Sequence, residues 1–138
     1  MQNNVLYGYN LNGNIEYRVS TGILININDG RIKKLANTNK RLLNYIIVNS
    51  CYGFVSDNDI AEIIFEREGL KYSQSRLRGA IRILKDVFDD LGSDSNFIRR
   101  NDRRGYYIQF SKVHVLISLE NSRGLLNDFN IYLQSNGC

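Results

Sequence analysis

The stretch "YSQSRLRGAIRILKDVF", residues 72–88, repeats apolar side chains at the spacing of an α-helix. Four of them fall within roughly 60° of one another on a helical wheel of about 100° per residue. They are Leu77, Ile81, Leu84 and Phe88. The pattern predicts an amphipathic helix over residues 73–91 whose apolar face packs on a hydrophobic core.

The other side of this predicted helix is basic and contains a glycine. The wheel puts four polar or basic residues between about 80° and 160° from Leu77, namely Ser75, Arg78, Arg82 and Lys85. Arg76 lies on the opposite flank, and Gly79 lies at about 200°, beside the basic face. A glycine inside a helix costs roughly 1 kcal/mol relative to alanine. Our hypothesis for Gly79 is that another backbone approaches the helix closely there.

A second basic cluster follows in "FIRRNDRRGYYIQF", residues 97–110, which predicts two short strands around a turn. Its arginines are Arg99, Arg100, Arg103 and Arg104. The charged face of a surface helix usually has no partner other than solvent. Such solvated faces tend to carry both acidic and basic residues, however, and residues 71–85 contain no acid. Two neighbouring basic clusters favour an anionic partner, because arginine suits both phosphates and the edges of guanine bases.

The first 35 residues alternate apolar and polar side chains between Asn-Gly and Asp-Gly pairs. This pattern is typical of antiparallel strands joined by tight hairpin turns. We expect a sheet of up to four strands in this part of the chain. One face of the sheet would carry Ile23, Ile25 and Ile27.

Two further helices are predicted in residues 37–51 and 57–68, because apolar residues recur there at helical spacing. The chain after residue 112 differs in character and is treated as a C-terminal extension, residues 113–138, of a domain that spans residues 1–112. Residues 113–119 predict a strand. Residues 122–135 predict a short amphipathic helix with one apolar side, formed by Leu125, Leu126, Phe129 and Leu133.

Several classes of function have little support in the sequence. The two cysteines, Cys51 and Cys138, are far apart, and His114 is the only histidine, so neither a metal site nor a catalytic nucleophile with its base is expected. We therefore expect no enzyme and no cofactor. The longest apolar run near the end has seven residues, against the roughly 20 of a membrane span. With no signal peptide at the start, the chain is expected in the cytoplasm, and its net charge of +4 is only a weak hint of an anionic partner.

The order of these elements resembles the OmpR/PhoB-type winged helix-turn-helix domain. The resemblance covers roughly residues 5 to 110 and is carried by "RLLNYIIVNSCYGFVSDNDIAEIIF", "LRGAIRILKDVF" and "FIRRNDRRGYYIQF". It implies an α+β fold with an N-terminal antiparallel sheet, three helices and a C-terminal β-hairpin wing. Phe65 stands where the family commonly has tryptophan, and Ala80 and Ile83 stand where polar DNA-reading residues are frequent.

The resemblance also implies the functional residues. The helix of residues 73–91 would enter the major groove, and the wing of residues 97–110 would lie near phosphates and the adjacent minor groove. Tyr106 would brace the wing or touch a phosphate. The implied DNA-binding residues are Ser75, Arg76, Arg78, Gly79, Arg82, Arg99, Arg100, Arg103, Arg104 and Tyr106. The basic face of the helical wheel adds Lys85 to this set.

No receiver domain fits before residue 5, so control by phosphorylation is not expected. The arrangement is similar to the ToxR/CadC-like branch, in which the DNA-binding domain comes first and a membrane span usually follows. Two alternatives stay open: a stand-alone cytoplasmic regulator, and the cytoplasmic domain of a membrane-anchored regulator that continues past Cys138.

The sequence thus predicts a transcriptional regulator that binds double-stranded DNA at specific sequences. A dimer or tandem sites are expected, because one recognition helix reads only a few base pairs. RNA polymerase is a further candidate partner. The alternative is a winged-helix protein-interaction module that does not bind DNA, in which the basic surface meets an acidic protein and residues 113–135 form the partner site.

Overall fold

The computed structural model describes residues 3–49, 53–102, 104–110, 112–120 and 126–133. The chain begins with four antiparallel strands, each paired with the next. They are β1 (Asn3–Leu11), β2 (Ile15–Arg18), β3 (Ile23–Asn26) and β4 (Ile32–Lys34). At the predicted Asn-Gly turn, Asn12 and Gly13 both have positive φ, 57° and 79°, as a tight hairpin turn requires. The four-strand prediction is confirmed.

Strand β3 buries one of its two faces more completely than the other. Leu24 and Asn26 are buried, whereas Ile23 and Ile25 lie on the outer face of the sheet. Leu24 pairs with Tyr17, which is fully buried. The Asn26 amide is inside because its Nδ2 donates to the Leu91 carbonyl oxygen at 2.7 Å. This hydrogen bond satisfies the buried Asn26 amide, as is usual for buried polar side chains.

Three helical segments share one hydrophobic core with the sheet. The first, α1 (Asn37–Asn49), buries the predicted stripe of Leu42, Leu43, Ile46 and Ile47. The second starts as α2 (Asp57–Ile60), capped by Ser56 Oγ, which accepts from Asp59 N at 3.0 Å. It continues as a π-helical turn over Ala61–Phe65 and a short 3₁₀ turn over Glu66–Glu68. The predicted helix of residues 57–68 is therefore present but not regular.

The third helix is α3 (Gln74–Asp90), within one residue of the predicted bounds at each end. Ser73 caps it, because its Oγ accepts from Arg76 N at 3.1 Å. Its core face is the predicted set of Leu77, Ile81, Leu84 and Phe88, to which the structure adds Ala80.

A small three-stranded sheet forms the wing beside α3. Its strands are β5 (Val55–Ser56), β6 (Ile98–Asn101) and β7 (Gly105–Ile108), in the order β5-β7-β6. The Phe97 ring lies 4.1 Å from the Phe88 ring and 5.0 Å from the Phe110 ring, measured between centroids. This aromatic cluster fixes the base of the wing to α3, because stacked aromatic rings both bury area and prefer defined geometries.

The C-terminal extension continues the N-terminal sheet. Strand β8 (Val113–Glu120) pairs antiparallel with β1, and β9 (Leu126–Leu133) pairs with β8, giving the order β4-β3-β2-β1-β8-β9. The predicted strand is confirmed. The predicted short helix is wrong for residues 126–133, which form β9, and Leu125 lies outside the described residues. In the described ranges, no helix has both the length and the apolar composition of a bilayer-spanning segment.

Candidate nucleic-acid interface

A cleft of about 710 Å³ separates α3 from the wing. Helix α3 forms one wall, and Arg100 of β6 and Tyr106 of β7 form the other. The lining is basic and polar apart from Ile81 and Tyr106, and consists of Gln74, Arg78, Ile81, Arg82, Lys85, Arg100 and Tyr106. Five of the predicted DNA-binding residues are thus brought together around one concave surface.

The outward side of α3 is also as the helical wheel predicts. Ser75, Arg76, Arg78 and Arg82 are exposed, and Lys85 is half-buried. A Cβ atom built on Gly79 meets no atom within 4 Å, so no other part of the described chain packs against this glycine. The open space at Gly79 is compatible with the hypothesis that the backbone of another molecule approaches the helix closely there.

Ala80 does not belong to this outward surface. It is buried, and its carbonyl oxygen accepts a hydrogen bond from Asn39 Nδ2 of α1 at 3.0 Å. Ala80 stands where polar DNA-reading residues are frequent in the family that the sequence resembles. The structure explains the small apolar residue, because Ala80 packs α3 against α1. Ile83, at the other such position, is exposed.

Arg100 is held by a carboxylate of the protein itself. Its Nη1 and Nη2 atoms lie 2.6 Å from Oδ1 and Oδ2 of Asp57, in the first turn of α2. Gln74 Nε2 at the start of α3 donates to the same Asp57 Oδ2 at 3.4 Å. The hydrogen bonds to Asp57 raise the pKa of the Arg100 guanidinium. Asp57 thereby connects α2, α3 and the wing.

Tyr106 lies beneath this ion pair. The Arg100 Cζ atom is 4.8 Å from the centroid of the Tyr106 ring, a distance at which the cation is attracted to the ring face. Tyr106 is 6 % exposed, and its backbone pairs with Val55 of β5. The ring thus supports Arg100 and forms part of the wing's packing.

Arg99 and Arg104 differ from Arg100 in that neither forms an ion pair within the described residues, although all three are exposed. Arg99 and Arg104 are exposed, and Arg99 points to the opposite side of β6 from Arg100, since successive strand residues alternate. Arg104 stands at the turn of the wing, where its carbonyl oxygen accepts from Asp57 N at 2.9 Å. Arg103 lies outside the described residues.

Six cations of this surface form no ion pair with a carboxylate among the residues that the structure describes. Within the described ranges, ion pairs form at Arg18, Arg31, Lys33, Arg41, Arg67 and Arg100. None forms in that part of the chain at Arg76, Arg78, Arg82, Lys85, Arg99 or Arg104. The candidate interface is therefore the basic surface made of these six residues, of which Arg78, Arg82 and Lys85 also line the cleft.

No alternative centre competes with this surface among the residues that the structure describes. That part of the chain holds no group of three His, Cys, Asp or Glu side chains arranged for a metal ion. His114 lies in β8, a strand of the larger sheet and not of the sheet that contains the wing, and Cys51 and Cys138 lie outside the described residues.

Comparison with known proteins identifies the fold. No protein-family model matches the sequence, and no curated protein matches it. Among solved structures, the chain is similar to the DNA-binding domain of E. coli CadC, with a TM-score of 0.61 and 16 % sequence identity. The similarity covers 74 % of this chain and 91 % of that one.

The chain has the α+β winged helix-turn-helix fold, with α2 and α3 as the helix-turn-helix and β6–β7 as the wing. The expected likeness to the CadC-type domain is confirmed at the level of the fold.

Proposed function

We propose that this chain is a transcriptional regulator that binds double-stranded DNA at specific sequences. One observation carries the proposal: three cations that form no ion pair in the described part of the chain, Arg78, Arg82 and Lys85, line one wall of a single cleft. Arg76, Arg99 and Arg104 add exposed positive charge on the same helix and on the wing. Lone surface cations are common, but a concentrated field of one sign attracts a polyanion and raises its rate of association. The solved domain that this chain resembles is itself described as DNA-binding.

In this proposal α3 enters the major groove. Ser75, Arg78 and Arg82 face the bases and the nearer phosphates, and Lys85 faces the backbone from the rim of the cleft. A guanidinium can make two hydrogen bonds to guanine O6 and N7, so Arg78 and Arg82 are the candidates for sequence reading. Arg76, on the other flank of α3, would contact the opposite strand.

The wing supplies contacts that do not depend on sequence. Arg99 and Arg104 project from it, and with Arg103 they would bind phosphates or enter the minor groove beside them. Arg100 is assigned a second task, because Asp57 already binds its guanidinium: it holds the wing against α3 and sets the width of the cleft. A direct phosphate contact by Arg100 or Tyr106 stays a prediction.

A single α3 helix reads only a few base pairs, so we propose that two copies act together on one site. Contact with RNA polymerase stays a prediction from the family resemblance. DNA binding would place the activity of this domain in the cytoplasm of a bacterial-type cell.

The salt dependence of duplex binding tests the proposal. Each phosphate contact contributes about −0.9 to the slope of log K against log salt, so we expect a steep fall in affinity. Arg104→Ala should reduce the slope by about one. Arg18→Ala is the matched control, because Arg18 lies in β2 and pairs with Glu16.

Affinity for duplex DNA that is weak at low salt, or a slope unchanged by Arg104→Ala, would contradict the proposal. Weak DNA binding with tight, salt-sensitive binding of an acidic protein would favour the interaction-module alternative instead.

A further inference from the structure

Ile83 breaks the otherwise regular division of α3 into an apolar and a polar side. The large aliphatic residues on the core face of α3 are almost fully buried, namely Leu77, Ile81 and Leu84. Ile83 lies outside this face and is 49 % exposed. On the helical wheel it lies about 240° from Leu77, away from the core. The arginines of the cleft lie between about 80° and 160°, so Ile83 occupies the other flank of the outward surface.

Ile83 adjoins Gly79 on the helix surface. Residues four positions apart are neighbours on a helix, and a helical side chain leans toward the preceding turn. The space above Gly79 is open, since a Cβ built there meets no atom within 4 Å. The two residues together form a shallow notch with one apolar wall.

Both residues are locally unfavourable choices. Glycine weakens a helix interior relative to alanine, and an isoleucine that is half-exposed leaves apolar area in water. A single exposed apolar residue needs no explanation. Two such departures within about one turn, on the side of α3 that faces away from the core, are typical of a functional surface, where local rules of stability are broken.

We propose that Ile83, beside the Gly79 notch, reads the C5-methyl group of a thymine in the major groove. The inference rests on the proposed DNA-binding function and adds a base preference to it. Thymine presents the only methyl group among the four bases in that groove, and isoleucine offers no hydrogen bond that could select another base edge. The absence of a side chain at Gly79 lets the base edge approach the helix backbone.

The two flanks of α3 then recognise different chemistry. Arg78 and Arg82 recognise hydrogen-bond acceptors on the cleft side, and Ile83 recognises an apolar group on the opposite side. The bound site should therefore contain a thymine at a fixed distance from the guanines read by the arginines.

The test begins with selection of bound fragments from random duplex DNA by the full chain. In the selected duplex, each dT is then replaced singly by dU, which removes only the methyl group. At one position of each half-site, dU should weaken binding by wild-type protein about fourfold, the value of one buried methyl-sized group. Ile83→Ala should bind the dT and dU duplexes equally.

Ile27→Ala is the matched control, because Ile27 is also 49 % exposed but follows β3, in the N-terminal sheet. This variant should keep the fourfold preference for dT. Folding of Ile83→Ala is not in question, since alanine is the stronger helix former, and circular dichroism verifies it.

Three outcomes would overturn the inference while DNA binding stands: a selected consensus without thymine, no dU position that weakens wild-type binding, or a dU effect that persists in Ile83→Ala. Selection of no duplex at all would overturn the inference together with the proposed function, and is recognised by the absence of binding itself.

Discussion

Asp57 and Arg100 form a two-point ion pair, with both nitrogen–oxygen distances at 2.6 Å. The pair joins the first turn of α2 to the wing strand β6, across 43 positions of sequence. Two parallel hydrogen bonds fix the guanidinium in one plane, which a single contact would not. The position of the wing relative to α3 therefore depends on a carboxylate that contacts no DNA in the proposed complex.

Asp57→Asn should loosen this connection. The side chain keeps its size but loses the charge, so we expect the free energy of unfolding to fall by about 1–2 kcal/mol in urea denaturation. The lower part of that range applies if solvent screens the pair, because the Arg100 side chain is 35 % exposed. DNA affinity should fall as well, since the cleft is no longer held at one width.

Asp59→Asn is the control for Asp57→Asn, because it makes the same change of charge at an exposed position of the same helix turn. It should change stability by less than about 0.5 kcal/mol. Tighter DNA binding by Asp57→Asn than by Asp59→Asn would mean that Arg100 is a phosphate ligand which Asp57 withholds.

Arg82→Ala and Arg104→Ala should affect DNA binding in different ways. Loss of a base contact at Arg82 should cost about 1–3 kcal/mol on the selected duplex and much less on unrelated duplexes. Loss of a phosphate contact at Arg104 should weaken binding to all duplexes alike. Competition binding with selected and scrambled duplexes measures both. Equal losses on the two duplexes for Arg82→Ala would show that this arginine does not read sequence.

Gly79→Ala should make the protein more stable and a weaker DNA binder. The new Cβ has open space around it, so alanine can raise the free energy of unfolding by up to about 1 kcal/mol. The same methyl group would fill the notch that we assign to a close approach of DNA. Thermal unfolding of the variant measures the gain in stability, and titration with duplex DNA measures the loss of affinity. Unchanged DNA affinity would show that Gly79 does not lie in the DNA interface.

Gly105→Ala should severely destabilise the wing. A Cβ atom on Gly105 would lie 1.9 Å from the Val55 carbonyl oxygen and 2.8 Å from Ser56 Cα. Both are backbone atoms of β5, so the clash cannot be relieved by a side-chain rotation, and the β5–β7 pairing would have to shift. We expect a loss of about 3 kcal/mol or more in thermal unfolding. Wild-type stability in this variant would refute the close pairing of β5 with β7.

The elements that the sequence predicts well are those with local periodic patterns. The apolar spacing of α3, the Asn-Gly turn and the aromatic alternation of β7 each depend on residues close in sequence. The basic surface follows from them, because α3 fixes which arginines face outward. Local pattern predicted the order of the elements, and the resemblance to the OmpR/PhoB-type domain then implied the winged-helix fold.

The failures concern choices that local pattern leaves open. Alternation in β3 shows that Ile23 and Ile25 share a face, but it does not show that the opposite face, with Leu24 and Asn26, is the more deeply buried one. In residues 126–133, Phe129, Ile131 and Leu133 fit a strand as well as a helix, and pairing with β8 selects the strand.

Other features required knowledge of distant partners. The Asp57–Arg100 pair connects two segments whose separate patterns give no hint of contact. The π-helical turn after α2 is similar, because Arg41 of α1 stabilises it by donating from Nη2 to the Ile63 and Ile64 carbonyl oxygens at 3.1 and 2.6 Å. Neither partner is identifiable from spacing along the chain.

The pairing of β1 with β8 has a consequence for biosynthesis. Leu11, close to the start of the chain, pairs with Val113, so a ribosome must release more than 100 residues before this part of the sheet can close. Pairings of such high contact order form slowly. The helices and the wing, built from residues 37–110, emerge earlier and can associate while β1 still exposes an unpaired edge. We therefore expect the DNA-contacting half to acquire its shape during translation, and the exposed edge of β1 to be the stage at which a nascent chain is most prone to aggregate.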